Sequence, residues 1–261
     1  MPTLTLLQDG LGLASGSLVG FSLGLVGGGG SILAVPLMVY LVGIPDAHLA
    51  IGTSAVAVAA NAAANLVTHA RQGTVKWRCA AVFAAAGATG ALAGSTLGKL
   101  VDGQKLLALF AVLMMVVGVL MLRKRNGEGD PGVRLDRGNL PKLLGVGLGA
   151  GVLSGFFGIG GGFLVVPGLM LATGMPILNA VGSSLVAVTA FGLTTAANYA
   201  ASGMLDWRLA ALFVVGGLAG GWLGARSARG LAAHRGALSM VFAGLIFVVA
   251  AYMLVRSLGV V

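Results

Sequence analysis

The 261-residue chain is 57% hydrophobic and only 9% charged, with a formal net charge of +9 and a single cysteine, Cys79. A soluble domain would be roughly a quarter charged, so a soluble globular protein is excluded, and one cysteine makes neither a disulfide framework nor a metal cluster. The basic excess does not point to nucleic acid, because Lys and Arg fall in short loops between apolar runs, where membrane-orientation signals belong.

The N-terminus, Met1 to Gly10, lacks a basic region and carries Asp9, so it does not read as a cleaved signal peptide. The first apolar segment is expected from about Leu11 to Val26. It runs into the glycine cluster of Gly27-Gly28-Gly29-Gly30-Ser31-Ile32-Leu33-Ala34-Val35-Pro36. A second segment begins at Gly30 or Ser31 and ends near Gly43-Ile44-Pro45. Both are shorter than the ~20 residues of a comfortable span, which makes them two short helices or a re-entrant pair meeting inside the membrane. Three further segments follow, at about Ala47–Ala70, Trp77–Gly98 and Gln104–Leu122.

The stretch from Arg123 to Lys142 is hydrophilic. It holds six basic residues and three acidic ones, and Gly127, Gly129, Pro131 and Gly132 mark it as turn-rich. It reads as a linker between two halves. From Leu143 to Leu205 there is then no Asp, Glu, Lys or Arg. A sixth segment, Leu143–Phe157, reaches a second glycine cluster, Gly158-Ile159-Gly160-Gly161-Gly162-Phe163-Leu164-Val165-Val166-Pro167. Segments are expected next at Gly162–Thr173, Asn179–Ser202, Trp207–Ala225 and Ala237–Val255. Their length and uniform apolarity favour helices over the short alternating strands of a membrane barrel.

The second half repeats the first. Pro36 matches Pro167, Gly43 matches Gly174 and Pro45 matches Pro176 at one offset. After a one-residue deletion, Gly52-Thr53-Ser54 matches Gly182-Ser183-Ser184, Gly73 matches Gly203, and Trp77-Arg78 matches Trp207-Arg208. The expected architecture is therefore an all-α polytopic membrane protein of 8–10 segments. Residues 1–122 form one membrane repeat, 123–142 a basic cytoplasmic linker, and 143–261 a second repeat. Lys and Arg partition best if Arg71, Lys76, Arg78, the linker, Arg226, Arg229 and Arg235 share the cytoplasmic side. The repeats are then inverted and both termini lie outside. A parallel arrangement, with each short pair making one broken crossing, fits slightly less well.

Corresponding interrupted segments in two membrane repeats point to a substrate site in secondary transporters. No charged side chain lies at membrane depth, so backbone and neutral polar groups must supply selectivity. Helix starts at Gly30-Ser31 and Gly161-Gly162 would present unpaired N–H groups to an anion, and glycine permits its close approach. The candidate contacts are Gly28, Gly29, Gly30, Ser31, Gly160, Gly161 and Gly162, with Pro36 and Pro167 as helix breakers. Thr53, Ser54, Ser183 and Ser184 add hydroxyls. Tight helix packing is the competing reading for glycine, and it is the one adopted for Gly87, Gly90, Gly94, Gly216, Gly217 and Gly220.

At ~100° per residue, Ser54, Asn61, Asn65 and Thr68 share one face, as do Ser184, Thr195, Asn198 and Ser202, with Phe191 in place of a second Asn61. Such stripes line a path or bond a neighbouring helix, and both readings stand open. Thus Asn61, Asn65, Thr195 and Asn198 join the candidates. His69 is read as an interfacial residue or a carrier of a coupling proton. Trp77 and Trp207 read as interface anchors.

The duplicated glycine-plus-proline stretch, the following Gly-Thr-Ser or Gly-Ser-Ser, and the Gly-x-x-x-Trp-Arg closing each unit resemble the sulfite exporter TauE/SafE family, over Gly20 to Arg256. The resemblance implies an inner-membrane permease of prokaryotic type for sulfite or organosulfonate anions. It assigns binding to the two glycine clusters, Pro36, Pro167, Thr53, Ser54, Ser183 and Ser184. A secondary permease or exporter is the leading function, and an anion channel or an accessory membrane subunit the alternatives. No phosphate-binding Gly-x-x-x-x-Gly-Lys-Ser/Thr is present. His48, His69 and His234 are scattered, which disfavours an intramembrane enzyme. No cofactor or metal is expected. The expected partners are a small anion and the bilayer, with coupling protons and a homo-oligomer left open and no nucleic acid.

Overall fold

Apolar runs become helices, and small residues let them meet at backbone distance. The computed structural model describes residues 6–123, 129–130, 132–159, 162–231, 244 and 247–253, and all regular structure among them is helical. In order these are α1 (Leu6–Val26), a 3-10 segment (Gly27–Leu33), a single turn α2 (Ala34–Pro36) and a π segment (Leu37–Leu41). There follow α3 (Ala47–Arg71), α4 (Trp77–Gly98), α5 (Gly103–Arg123), α6 (Leu140–Phe157), α7 (Gly162–Thr173), α8 (Ile177–Ala200) and α9 (Trp207–Leu231). Residues 247–253 are helical; most of the remaining tenth segment expected at 237–255 lies outside the described residues. Five helices among the described residues are long and apolar enough to cross a bilayer: α3, α4, α6, α8 and the Trp207–Gly224 part of α9.

Three boundaries differ from expectation for physical reasons. Helix α1 already includes Leu6 to Gly10, ahead of the expected start at Leu11, and Asp9 is accommodated there by the pairing of its carboxylate with the Arg208 guanidinium at the start of α9. Helix α8 begins at Ile177, directly after Pro176, whose extended backbone sets the entry. Helix α9 continues through Arg226 to Leu231, past the apolar run.

Helix α1 lies along α9, and α4 along α6. A Cβ at Gly16 would sit 2.2 Å from the Phe213 carbonyl oxygen, and one at Gly20 1.9 Å from that of Gly217. In the other pair, a Cβ at Gly151 would sit 2.0 Å from the Gly87 carbonyl oxygen and one at Gly155 2.1 Å from that of Ala91. Numbers rise together in both pairs, so the partners run in the same direction. Helices α3 and α8 cross in opposite directions, with Gly52 against Tyr199, Gly192 against Ala59, and Gly182 against Thr74 just past the α3 end. At Gly90, Gly94, Gly216 and Gly220 a Cβ would run into a neighbouring backbone carbonyl, and at Gly87 and Gly217 into the side chains of Phe191 and Asn61, which supports the packing reading of all six.

The turns repeat as well. Gly43 (φ 81°) and Gly174 (φ 72°) are left-handed, as are Gly73 (φ 68°) and Gly203 (φ 71°). These are the pairs matched in sequence, and a left-handed turn is where glycine escapes the Cβ clash.

Candidate functional site

The two glycine–proline stretches meet. The 3-10 segment packs against α7, α8, α3 and α1, and Ser31 and Ile32 are fully buried in it. Gly28 and Gly29 fall within this segment, and the short apolar helix expected from Gly30 or Ser31 runs over Gly30–Leu41, opening in 3-10 rather than α turns. Four successive glycines have poor helix propensity, and the chain takes the tighter 3-10 turn. A Cβ at Gly30 would lie 2.3 Å from the Leu23 nitrogen and 2.5 Å from the Ser22 carbonyl carbon. Gly30 is therefore pressed on the α1 backbone. The second copy does break: α6 ends at left-handed Gly158, and α7 begins at buried Gly162. Gly160 and Gly161 lie outside the described residues.

The prolines act differently from expectation. Pro36 ends a single α turn and passes into the π segment, where the Val42 N–H donates to the Leu37 carbonyl at 2.9 Å. Pro167 breaks nothing, for α7 runs through it to Thr173. Membrane helices tolerate proline when neighbours compensate the freed carbonyl, and the interruption in this half is made by Gly158.

The paired hydroxyl motifs are brought into matching roles. Thr53 Oγ1 accepts the backbone N–H of Asp206 at 3.0 Å, and Ser183 Oγ accepts that of Lys76 at 2.8 Å. Each hydroxyl thus holds the residue preceding α9 or α4. Ser54 Oγ and Ser184 Oγ donate within their own helices, to the carbonyls of Ile51 at 2.9 Å and Val181 at 2.7 Å. All four are fully buried.

The polar stripes divide. Towards the end of α8 they are glue: the Asn198 amide donates to Ser95 Oγ at 2.6 Å, and Lys99 Nζ donates to Asn198 Oδ1 at 2.9 Å and Ser202 Oγ at 2.8 Å. This places Asn198 at a helix end, away from the glycine segments. Mid-helix the situation reverses. Asn61 is fully buried, and neither its amide nitrogen nor its oxygen finds a partner among the described residues. Its side chain lies over Gly217 of α9. Asn65 donates to the Asn61 carbonyl at 2.9 Å and faces Gly221. Thr195 Oγ1 on α8, Ser15 Oγ on α1 and Ser154 Oγ on α6 are buried and unpartnered in the same way. The counterpart of Asn61 is Phe191, stacked on Phe83 with ring centroids 6.2 Å apart and lying over Gly87.

A model of the family "Sulfite exporter TauE/SafE" matches residues 12–253. The chain belongs to the TauE/SafE family. Among curated relatives, a "Probable membrane transporter protein" of Xylella fastidiosa (strain 9a5c) is 52% identical over 94% of this chain and 94% of its own length. "Probable membrane transporter protein YdhB" of Bacillus subtilis (strain 168) is 26% identical over 80% of this chain and 86% of its own. "Probable membrane transporter protein MJ0441" of Methanocaldococcus jannaschii is 28% identical over 64% of each. No solved structure matches the chain. This TauE/SafE protein is thus a multi-pass membrane protein of a transporter family.

Sequence reasoning missed Ser15 and Ser154. The signal was present: each is a hydroxyl in an apolar helix interior, where polar groups are costly and therefore informative. His69 is buried at the end of α3. Thr74 Oγ1 donates its one hydrogen to the His69 carbonyl at 3.1 Å and accepts from the His69 ring nitrogen Nδ1, also at 3.1 Å. Trp77 and Trp207 stand half-exposed at the starts of α4 and α9, as anchors would.

Proposed function

We propose that this chain is a secondary permease that carries a small sulfur-containing anion, of the sulfite or organosulfonate kind, past buried polar groups of α1, α3, α6 and α8. One observation carries this: the Asn61 amide, fully buried with both ends unpartnered. Leaving such a group unsatisfied costs about 1–3 kcal/mol, a cost that a visiting oxyanion would remove by accepting from its N–H. Hydroxyls of Ser15, Ser154 and Thr195 supply further donors. In this reading neutral donors hold the anion, weakly enough that it can also leave.

In this reading the halves, 1–122 and 143–261, are inverted repeats joined by a cytoplasmic linker. Support comes from the reciprocal bonds of Thr53 and Ser183, and from the like-directed pairing of α1 with α9 and α4 with α6. Phe191 opposite Asn61 then makes the path one-sided: polar by the first half, closed by an aromatic stack in the second. The test is flux into proteoliposomes of sulfite, sulfate, taurine and sulfoacetate. Saturable uptake of a sulfur oxyanion supports the permease, non-saturating flux indicates a channel, and no flux from pure protein indicates an accessory subunit.

A further inference from the structure

The two halves differ in charge at the first turn of α4 and α9. In the second half the positions preceding and opening α9 are Asp206, Trp207 and Arg208. Asp206 accepts the Leu209 N–H at 3.0 Å, and Arg208 is paired with Asp9. Charge there is cancelled within the protein. At the matched positions of the first half stand Lys76, Trp77 and Arg78. The acid has become a base, and Leu140 takes the place of Asp9 in the matching helix. Among the described residues no acidic side chain forms an ion pair with Arg78 or Arg134.

A cavity of about 380 Å³ opens at this point. Its walls are the start of α4 and the linker, with Lys76, Arg78 and Arg134 as cations and Val75, Cys79, Val133 and Leu135 as an apolar floor. Trp77, half-exposed, stands at its edge. Asp136 of the linker accepts the N–H groups of Gly138 and Asn139 through its Oδ1 at 2.8 and 2.7 Å.

We infer that this cavity is a binding site for the headgroup of an anionic phospholipid. Basic cavities on the cytoplasmic face of membrane proteins suit phosphate headgroups, and a tryptophan marks the interfacial depth. The apolar floor decides for a lipid over a free anion, since a hydrated inorganic ion gains nothing from valine and leucine, whereas a glycerol backbone and the first methylenes do. The bound lipid ties the linker to α4 and so couples the join between the halves to the inner leaflet.

The experiment uses the full chain in zwitterionic detergent, titrated with phosphatidylglycerol, phosphatidylcholine or inorganic phosphate, with retained lipid read by native mass spectrometry. Wild type should retain phosphatidylglycerol and discard phosphatidylcholine. Each cation removed near a membrane surface weakens anionic-lipid binding about 5-fold, so Arg78→Gln with Arg134→Gln should lose about 30-fold. Arg208→Gln, at the matched position of the other half, should leave binding unchanged. Arg134→Gln alone, in the exposed linker, provides the answer if the double variant folds poorly, and should lose about 5-fold. The Lys pair Arg78→Lys and Arg134→Lys should retain the lipid. Wild-type retention in Arg134→Gln and the double Gln variant overturns the site. Equal retention of phosphatidylcholine overturns the headgroup specificity. Displacement of phosphatidylglycerol by millimolar inorganic phosphate overturns the lipid reading in favour of a free-anion vestibule.

Discussion

Thr53→Val and Ser183→Ala remove one acceptor each and almost no volume. In the native protein each hydroxyl accepts a single backbone N–H, from Asp206 at 3.0 Å and Lys76 at 2.8 Å. Both hydroxyl residues are fully buried, so water cannot replace the lost acceptor without opening the helix contact. An orphaned buried donor costs about 1–3 kcal/mol, and the bonds are similar in length and kind. The two variants should therefore lose similar stability, each about 1–3 kcal/mol. The bonds join opposite ends of the bundle and share no partner, so the double variant should lose the sum to within about 0.5 kcal/mol. The assay is reversible denaturant unfolding in mixed micelles, with helicity as the signal. Losses under about 0.5 kcal/mol in both, or a loss in one alone, would refute the view that the halves are held by one bond made twice.

Other outcomes follow from the packing and the turns. Gly20→Ala drives a methyl to 1.9 Å from the Gly217 carbonyl; α1 must move off α9, at a cost of about 1–3 kcal/mol in the same unfolding assay. Gly73→Ala and Gly203→Ala meet nothing within 4 Å and pay only the left-handed backbone, about 1–2 kcal/mol each. Gly149→Ala, also unobstructed but helical, should be neutral or stabilising by up to about 1 kcal/mol. Single cysteines at Gly73 and Gly203 should label from opposite sides of the membrane; labelling from one side favours the parallel arrangement. Arg208→Gln should cost about 1–3 kcal/mol, because the Asp9 side chain is only 16% exposed and its carboxylate loses its partner.

Much of this architecture is legible in the amino-acid sequence because the membrane makes local signals strong. Long apolar runs become helices, and Gly43, Gly73, Gly174 and Gly203 announce their turns in matched pairs. What escapes a local reading depends on distant partners. Asp9 looks like a residue outside the first helix until Arg208, far along the chain, is seen to neutralise it. Asn198 looks like a member of a path until Ser95 and Lys99 claim its amide. Pro167 looks like a breaker, yet the membrane helix runs through it, and Gly30 looks open to a ligand although the α1 backbone fills the space. The orphaned polar atoms of Ser15, Asn61, Ser154 and Thr195 are visible only once neighbours are known, since a hydroxyl or amide is unsatisfied by what surrounds it.

The site reading rests on Asn61, and Asn61→Leu tests it most directly. The measurement is sulfite affinity and flux of the purified variant in proteoliposomes, beside its unfolding free energy. Loss of one charge-assisted hydrogen bond, about 1.5–3 kcal/mol, predicts at least a ~10-fold fall in affinity. Stability should hold or rise, because an unpartnered buried amide is replaced by an apolar side chain. Wild-type affinity together with a marked loss of stability would contradict the account and make Asn61 a packing residue against α9.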